Sequence, residues 1–371
     1  MNKPQPRTES PVVHTVALVI IAFAVVLFLL VQARFILICL AVAIMLFSLT
    51  SDAINFIARA RIGVLRIPNW LATVTAVVLI STALIVLTSL ILSQVNTILS
   101  TTLAYAERVP QAVASLFAWL GPEAETAIFN AVSSVNVSGY LRSAAGQAGG
   151  LMQGTVLVIL FVGFLFSERI WFGTKLTNLL KNEARAEEVS MIISSIMHRV
   201  NYYLLVKTVI SVVTGAMTWV VAELFGLDLA LAIGIMTFIL NYIPNIGSIV
   251  ATVAAALMAY VQLGDPAITA GLFLALAVIQ FVNGNIIDPI LMGRTLRLST
   301  FGIIVSLAFW AALWGIAGMF LAVPIMVGIM IACSHVEGLR PVAILLSREG
   351  LPDTDSESRI TLFGKRGKAA K

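Results

Sequence analysis

Two stretches of 33 residues, 229–261 and 301–333, contain no charged side chain. As continuous helices they would each run about 50 Å, well beyond the ~30 Å hydrocarbon core of a bilayer even with tilt. Each must therefore break, and each carries residues suited to breaking it. Asn241-Tyr-Ile-Pro-Asn-Ile-Gly-Ser248 lies near the centre of the first run, and Trp314-Gly-Ile-Ala-Gly318 interrupts the second, with Pro324 further on. Pro removes a helical hydrogen bond, and Gly and Asn accept backbone angles that helices do not use.

The rest of the 371-residue chain is equally apolar: 60% of it is hydrophobic and 11% charged, with a mean hydropathy of +1.01. Soluble domains average about 45–50% apolar and about 25% charged residues. A soluble protein and a single-anchor protein are both excluded. Further apolar runs at 12–32, 35–49, 70–92, 151–166, 203–222 and 267–282 approach the length that crosses a bilayer. The expected fold is an all-α polytopic membrane protein of about six full transmembrane helices plus two re-entrant helical hairpins, or eight transmembrane segments if the hairpins span.

With 23 basic and 18 acidic residues the net charge is +5. In a soluble protein that excess would suggest nucleic acid; here the charges are topology signals, and no nucleic-acid partner is expected. If both long runs were simple spans, Arg294 and Arg297 would fall outside and Asp265 inside, against the positive-inside rule. If both are hairpins, the Arg294/Arg297 loop is cytoplasmic and Glu223, Asp228 and Asp265 face outward. Both termini are then cytoplasmic. The units 203–261 and 267–333 become an inverted repeat of one span and one hairpin, a build in which broken helices meet near the bilayer midplane around a binding site.

Five regions follow. Residues 1–92 hold the first three spans, 93–150 short amphipathic extracytoplasmic helices, and 151–202 the fourth span with a charged cytoplasmic helix. Residues 203–333 form the transport core, and 334–371 a cytoplasmic tail, partly disordered from residue 351. Cys39 and Cys333 lie in apolar runs without a partner at metal-ligand spacing, so neither a disulfide framework nor a metal site is expected. There is no Walker loop. His14, His198 and His335 have no carboxylate or serine partner at a recognisable spacing. No enzyme activity and no cofactor are expected.

The residues Leu240-Asn-Tyr-Ile-Pro-Asn-Ile-Gly-Ser-Ile249 and Gly284-Asn-Ile-Ile-Asp-Pro-Ile-Leu-Met-Gly-Arg294, with Ser306-Leu-Ala-Phe-Trp310, Gly315-Ile-Ala-Gly318 and Leu321-Ala-Val-Pro324, resemble the autoinducer-2 exporter family. So do Lys207-Thr208 and Ser211. The match is specific over residues 202–331 and only a hydropathy pattern before that, and the wording from Asn241 to Ser248 is most similar to the quorum-signal transporter branch. The resemblance implies a permease of a bacterial inner membrane that exports a small polar solute such as autoinducer-2. It also implies homo-oligomers, pentamers among them. Since some members resemble sodium/proton antiporters, that is the alternative activity; a non-transporting scaffold recruiting partners through the charged helix at 167–199 is the second. Many members carry Gly-Gln where this chain has Val206-Lys207, which allows a different ligand or coupling ion.

At the first break, Asn241, Asn245 and Ser248 offer amide and hydroxyl groups beside backbone freed by Pro244 and Gly247, a set suited to a neutral polyhydroxy ligand. The competing reading is that they merely satisfy the loosened backbone, as membrane structure requires. Gly315 and Gly318 could shape the opposing tip, or allow close helix packing through small-xxx-small spacing. Asp288, before Pro289, is the best candidate for ion coupling; a helix cap or a pair with Arg294 would also explain it. Lys207 could meet an anionic solute or a carboxylate, or snorkel to the cytoplasmic surface. Arg294 is a further coupling candidate, although a topology anchor explains it as well.

Overall fold

The computed structural model describes residues 11–59, 69–105, 108–134, 137–244, 246–292, 298–348 and 350. Nearly all of these residues are helical; in order the helices are α1 (Pro11–Gln32), α2 (Arg34–Arg59), α3 (Asn69–Tyr105), α4 (Val109–Leu116), α5 (Pro122–Ser133), α6 (Val137–Glu168), α7 (Phe172–Leu180), α8 (Glu183–Leu224), α9 (Ala230–Leu240), α10 (Ile246–Leu263), α11 (Pro266–Val282), α12 (Asp288–Met292), α13 (Thr300–Ser334) and α14 (Arg340–Leu346). Eight helical stretches are long and apolar enough to cross a membrane. The protein is an all-α, multi-pass membrane protein. Large apolar side chains along α1, Leu18, Ile20 and Phe23 among them, are left uncovered, as expected of a helix solvated by lipid.

Local sequence sets the helix starts. Asp265 accepts from the N–H groups of Ala267 (2.7 Å) and Ile268 (3.2 Å) ahead of Pro266 in the first turn of α11, and Ser299 accepts from the N–H of Gly302 to start α13. Each side chain satisfies amides that a helix leaves without internal partners. Asn182 does the same for α8 through Arg185.

The 42 residues of α8 run unbroken, about 63 Å at 1.5 Å per residue. The expected border at 202/203, between a charged helix and the transport core, therefore falls inside one helix. Likewise the 93–150 region is only partly made of short helices: α3 continues to Tyr105 and α6 already begins at Val137, leaving α4 and α5 between them. The tail from residue 351 lies outside the described residues.

Both long apolar runs fold back on themselves. In the first, α9 and α10 flank the break at 241–245, and their far ends are fastened together. Gln262 accepts from the Asp228 N–H (3.0 Å) and donates to the Gly226 carbonyl (3.0 Å). At the tip Gly247 is pressed against α9; a Cβ there would stand 1.8 Å from the Leu240 carbonyl oxygen. In the second run the chain turns at Gly315, whose φ of 64° and ψ of −140° interrupt the helix. The Ser306 hydroxyl then reaches the Ala322 carbonyl at 3.0 Å, two positions that a straight helix would hold about 24 Å apart. Pro324 lies in the returning arm and is not the turning point.

The two hairpins open toward opposite ends of α8. The first opens beside Leu224, where Ala222, Leu227, Leu229 and Ala259 share one apolar cluster. The second opens beside the amino-terminal half of α8, where Ile192 and Ile196 pack against the cluster holding Met330 and Ile331. The tips meet between them: Ile243 is buried in the same cluster as Trp310, Trp314 and Leu321, and the Tyr242 and Phe320 rings lie 4.6 Å apart. Trp314 also donates to the Leu30 carbonyl of α1. A third cluster, with Cys39, Ala76, Val158 and Val162, joins α2, α3 and α6.

At the open end of the first hairpin, Tyr105 donates to Asp228 (2.9 Å), and the Ser115 and Tyr260 hydroxyls lie 2.9 Å apart. The hydrogen bond to Asp228 holds the Tyr105 phenol above its ordinary range.

Candidate functional site

The middle of α8 presents Lys207 and, one turn later, Ser211, both buried. Neither can reach water, so each must find partners inside the protein. The Lys207 side chain, 5% exposed, donates from Nζ to Asp288 Oδ2 at 2.8 Å. It is turned inward and does not snorkel. Asp288 is paired with Lys207; Arg294, the partner considered from the sequence, lies outside the described residues, as does Asn245.

From Ser211 a chain of side-chain bonds crosses to the first hairpin and on to α11. Asn241 Nδ2 donates to Ser211 Oγ (3.0 Å), and Asn283 Nδ2 donates to Asn241 Oδ1 (3.0 Å). Beside them Tyr242 donates to Thr208 Oγ1 at 2.7 Å. A hairpin tip, a long helix and the end of α11 are thus tied by three polar links in an apolar setting, where polar groups gain little by staying unpaired.

The end of α11 reaches this point through a widened turn. Residues Asn283–Ile287 form a π-helical turn, and the Asp288 N–H bonds the Asn283 carbonyl five residues back. In a regular α-helix those two residues would lie about 140° apart around the axis; the wide turn aligns them, so both side chains reach the same region. Pro289 explains the turn, since it cannot donate backward and crowds the carbonyl before it.

Between these elements lies a small cavity of about 60 Å³. Its wall includes Lys207 from α8, Asn241, Pro244 and Ser248 from the hairpin tip, and Gln280, Asn283, Gly284 and Asp288 from the α11–α12 segment. Three acceptor oxygens of these wall residues are buried without a hydrogen-bond partner: Gln280 Oε1, Asn283 Oδ1 and Asp288 Oδ1. Tyr203, one turn before Lys207, likewise buries an unpartnered hydroxyl.

The structure thus gathers five of the residues singled out in the sequence, Lys207, Asn241, Pro244, Ser248 and Asp288, around one cavity. Gly247 sits behind the tip as a contact between the hairpin arms. Gly315 and Gly318 belong to the second hairpin and do not line the cavity; Gly318 packs so tightly that a Cβ would stand 2.0 Å from the Trp310 carbonyl oxygen. Gln280 was missed, although it is the one amide side chain in the apolar run 267–282. Asn283 was visible only as a neighbour of Asp288. Among the described residues no cluster of three His, Cys, Asp or Glu side chains could hold a metal.

Helices long and apolar enough to cross a bilayer, two hairpins opening toward opposite ends of α8 and a polar cavity between the first hairpin's tip, α8 and α11 are the build of a membrane permease. The sequence pattern of the AI-2E family transporters matches residues 17–338, and the chain belongs to that family. It is 36% identical over 202 residues, 54% of its length and 57% of the relative's, to the AI-2 transport protein TqsA of Escherichia coli K12. A Borreliella burgdorferi protein named provisionally as a transport protein is 30% identical over 220 residues, 58% of this chain and 60% of that one. A Haemophilus influenzae protein with the same provisional name is 29% identical over 291 residues, 76% and 82% of the two chains. The chain thus spans 57% and 60% of the first two relatives.

Proposed function

We propose that the protein moves a small polar solute across a bacterial inner membrane, with the quorum signal AI-2 as its cargo and the cavity between Lys207, Asn241, Asn283 and Asp288 as the solute site. The observation that carries this reading is the cavity's position, at the tip of the first hairpin beside a polar stretch of α8, with Ile243 both in its wall and in the apolar cluster that holds the second hairpin's Trp314. In this reading the hairpins are re-entrant, and rocking one against the other exposes the cavity first to one side and then to the other, as in other transporters with inverted repeats. Both termini are cytoplasmic, the protein is a homo-oligomer, and it acts without enzyme chemistry. Asn and Ser side chains suit a cargo that needs donors and acceptors more than charge.

Purified protein in liposomes loaded with isotope-labelled AI-2 tests this. The expected result is saturable release above that of protein-free liposomes, reduced at least about tenfold by Asn283→Leu, since a site built to bond a hydroxyl discriminates strongly once its polar group is gone. Release equal to that of empty liposomes, with the protein intact, would contradict it.

The buried Lys207–Asp288 pair favours a second reading, ion exchange of the sodium/proton type, because ionisable groups at membrane depth commonly serve ion movement. Full ion-dependent activity in Asp288→Asn would exclude it. No flux of solute or ion from an intact oligomer would favour the scaffold acting through residues 167–199.

A further inference from the structure

Five residues separate the end of α13 at Ser334 from α14, which folds back against the open end of the second hairpin. Ala343 is fully buried there, and Leu346 packs against the cluster that holds Met330 and Ile331. The Leu346 carbonyl accepts from the Ser299 N–H at 2.8 Å, and Leu298 and Ser347 form an antiparallel bridge. One side of α14 is thereby fastened to the start of α13. Its other sides are apolar and exposed: Val342, Ile344 and Leu345, with Val336 and Leu339 just before them, and Leu345 is 70% exposed. A helix apolar on every side belongs in a protein core or in lipid. Seven residues reach only about 10 Å, so this helix lies along a bilayer surface and does not cross it.

Charge identifies the surface. Arg340 and Arg348 are exposed at the two ends of α14. Further on, residues 359–371 contain five basic side chains, Arg359, Lys365, Arg366, Lys368 and Lys371, and no acidic one. The eight residues 351–358 extend at most about 29 Å, so the basic segment stays within reach of the surface on which α14 lies. Lysines and arginines clustered beside the end of a membrane helix attract anionic headgroups. A second copy of the chain is a poorer occupant, because it would bring the same basic residues against their own kind.

We propose that α14 and the basic segment 359–371 form a binding surface for anionic phospholipid, with Val342, Ile344 and Leu345 among the acyl chains and Arg340 and Arg348 on the headgroups. The docked helix fastens the open end of the second hairpin through Leu346 and Ser299, so the charge of the membrane surface sets how firmly that end is closed. The proposal does not depend on what the cavity carries, and a failure of AI-2 release leaves it standing.

The test uses the full-length protein with Cys39 and Cys333 replaced, in nanodiscs of phosphatidylcholine with or without phosphatidylglycerol. A bimane label is placed at Leu345→Cys or, as a control on the exposed start of α8, at Glu187→Cys. Lipids with brominated chains should quench the label at Leu345→Cys and not at Glu187→Cys. Phosphatidylglycerol should lower quenching by aqueous acrylamide at Leu345→Cys at least about threefold. Arg340→Gln/Arg348→Gln combined with Lys365→Gln/Arg366→Gln/Lys368→Gln should abolish that difference and leave the melting temperature in phosphatidylcholine unchanged. The Ser299 amide should exchange several-fold more slowly with phosphatidylglycerol present, and at one rate in both discs once the basic residues are gone. Acrylamide quenching at Leu345→Cys equal to that at Glu187→Cys would overturn the proposal. So would shielding from acrylamide without quenching by brominated chains, the result expected if protein covers α14. A phosphatidylglycerol effect that survives loss of the basic residues, or Ser299 exchange indifferent to lipid charge, would overturn it as well.

Discussion

Asn283 donates a 3.0 Å hydrogen bond to Asn241, and through it the widened turn at the end of α11 is joined to the tip of the first hairpin. Asn241 passes the connection on to Ser211 of α8. A single buried amide thus holds together the three elements that wall the cavity, and it explains why a break in an apolar run carries an asparagine at its first position.

Asn241→Ala removes both bonds and leaves Ser211 and Asn283 buried without partners. Stability should fall by about 1–3 kcal/mol, read as a lower melting temperature in detergent, and AI-2 release should fall with it. An Asn241→Ala protein as stable and as active as wild type would show that the link is incidental.

Gly247→Ala should be far more damaging than its size suggests, because the added carbon would stand 1.8 Å from the Leu240 carbonyl oxygen. The arms of the hairpin would have to part, at a cost of about 3 kcal/mol or more. Gly163→Ala in α6, where nothing lies within 4 Å, should instead stabilise by up to about 1 kcal/mol through helix propensity. Comparing the two melting temperatures separates the effect of the tip from that of glycine replacement in general.

Gln262→Leu unfastens the base of the first hairpin by removing its bonds to Asp228 and Gly226. The loss should be small, about 1–2 kcal/mol, but local: amide exchange at Asp228 should quicken while the Asn241–Ser211 region keeps its protection.

In a background lacking Cys39 and Cys333, Glu223→Cys and Arg297→Cys should react with membrane-impermeant thiol reagents from opposite faces, Arg297→Cys from the cytoplasm. Labelling of both from one face would contradict re-entrant hairpins.

Much of this architecture was legible because length is a hard constraint. An uncharged run too long for one crossing has to turn, and Pro244 with Gly247 marked one turn as Gly315 marked the other. The residues around Asn241 were legible for the same reason, since polar side chains in an apolar run need partners. What could not be read was pairing across distance. Lys207 and Asp288 are 81 positions apart, and nothing local distinguishes a lysine that turns inward from one that reaches for the surface. The π turn was equally hidden: Pro289 signals a disturbed helix but not which way the relief will go, and only that relief brings Asn283 and Asp288 to one side. Gln280 became meaningful once the cavity existed to give its oxygen a setting. The border inside α8 was misplaced because composition changes along a helix that the backbone never interrupts.

In the proposed transport cycle the cavity at the tip of the first hairpin opens alternately to the two sides of the membrane. Ser248→Cys, placed in its wall, tests this directly in inside-out and right-side-out vesicles with the native cysteines replaced. Labelling from both faces, slowed from each by AI-2, is the predicted result. Labelling from one face only, at a rate that AI-2 leaves unchanged, would contradict it.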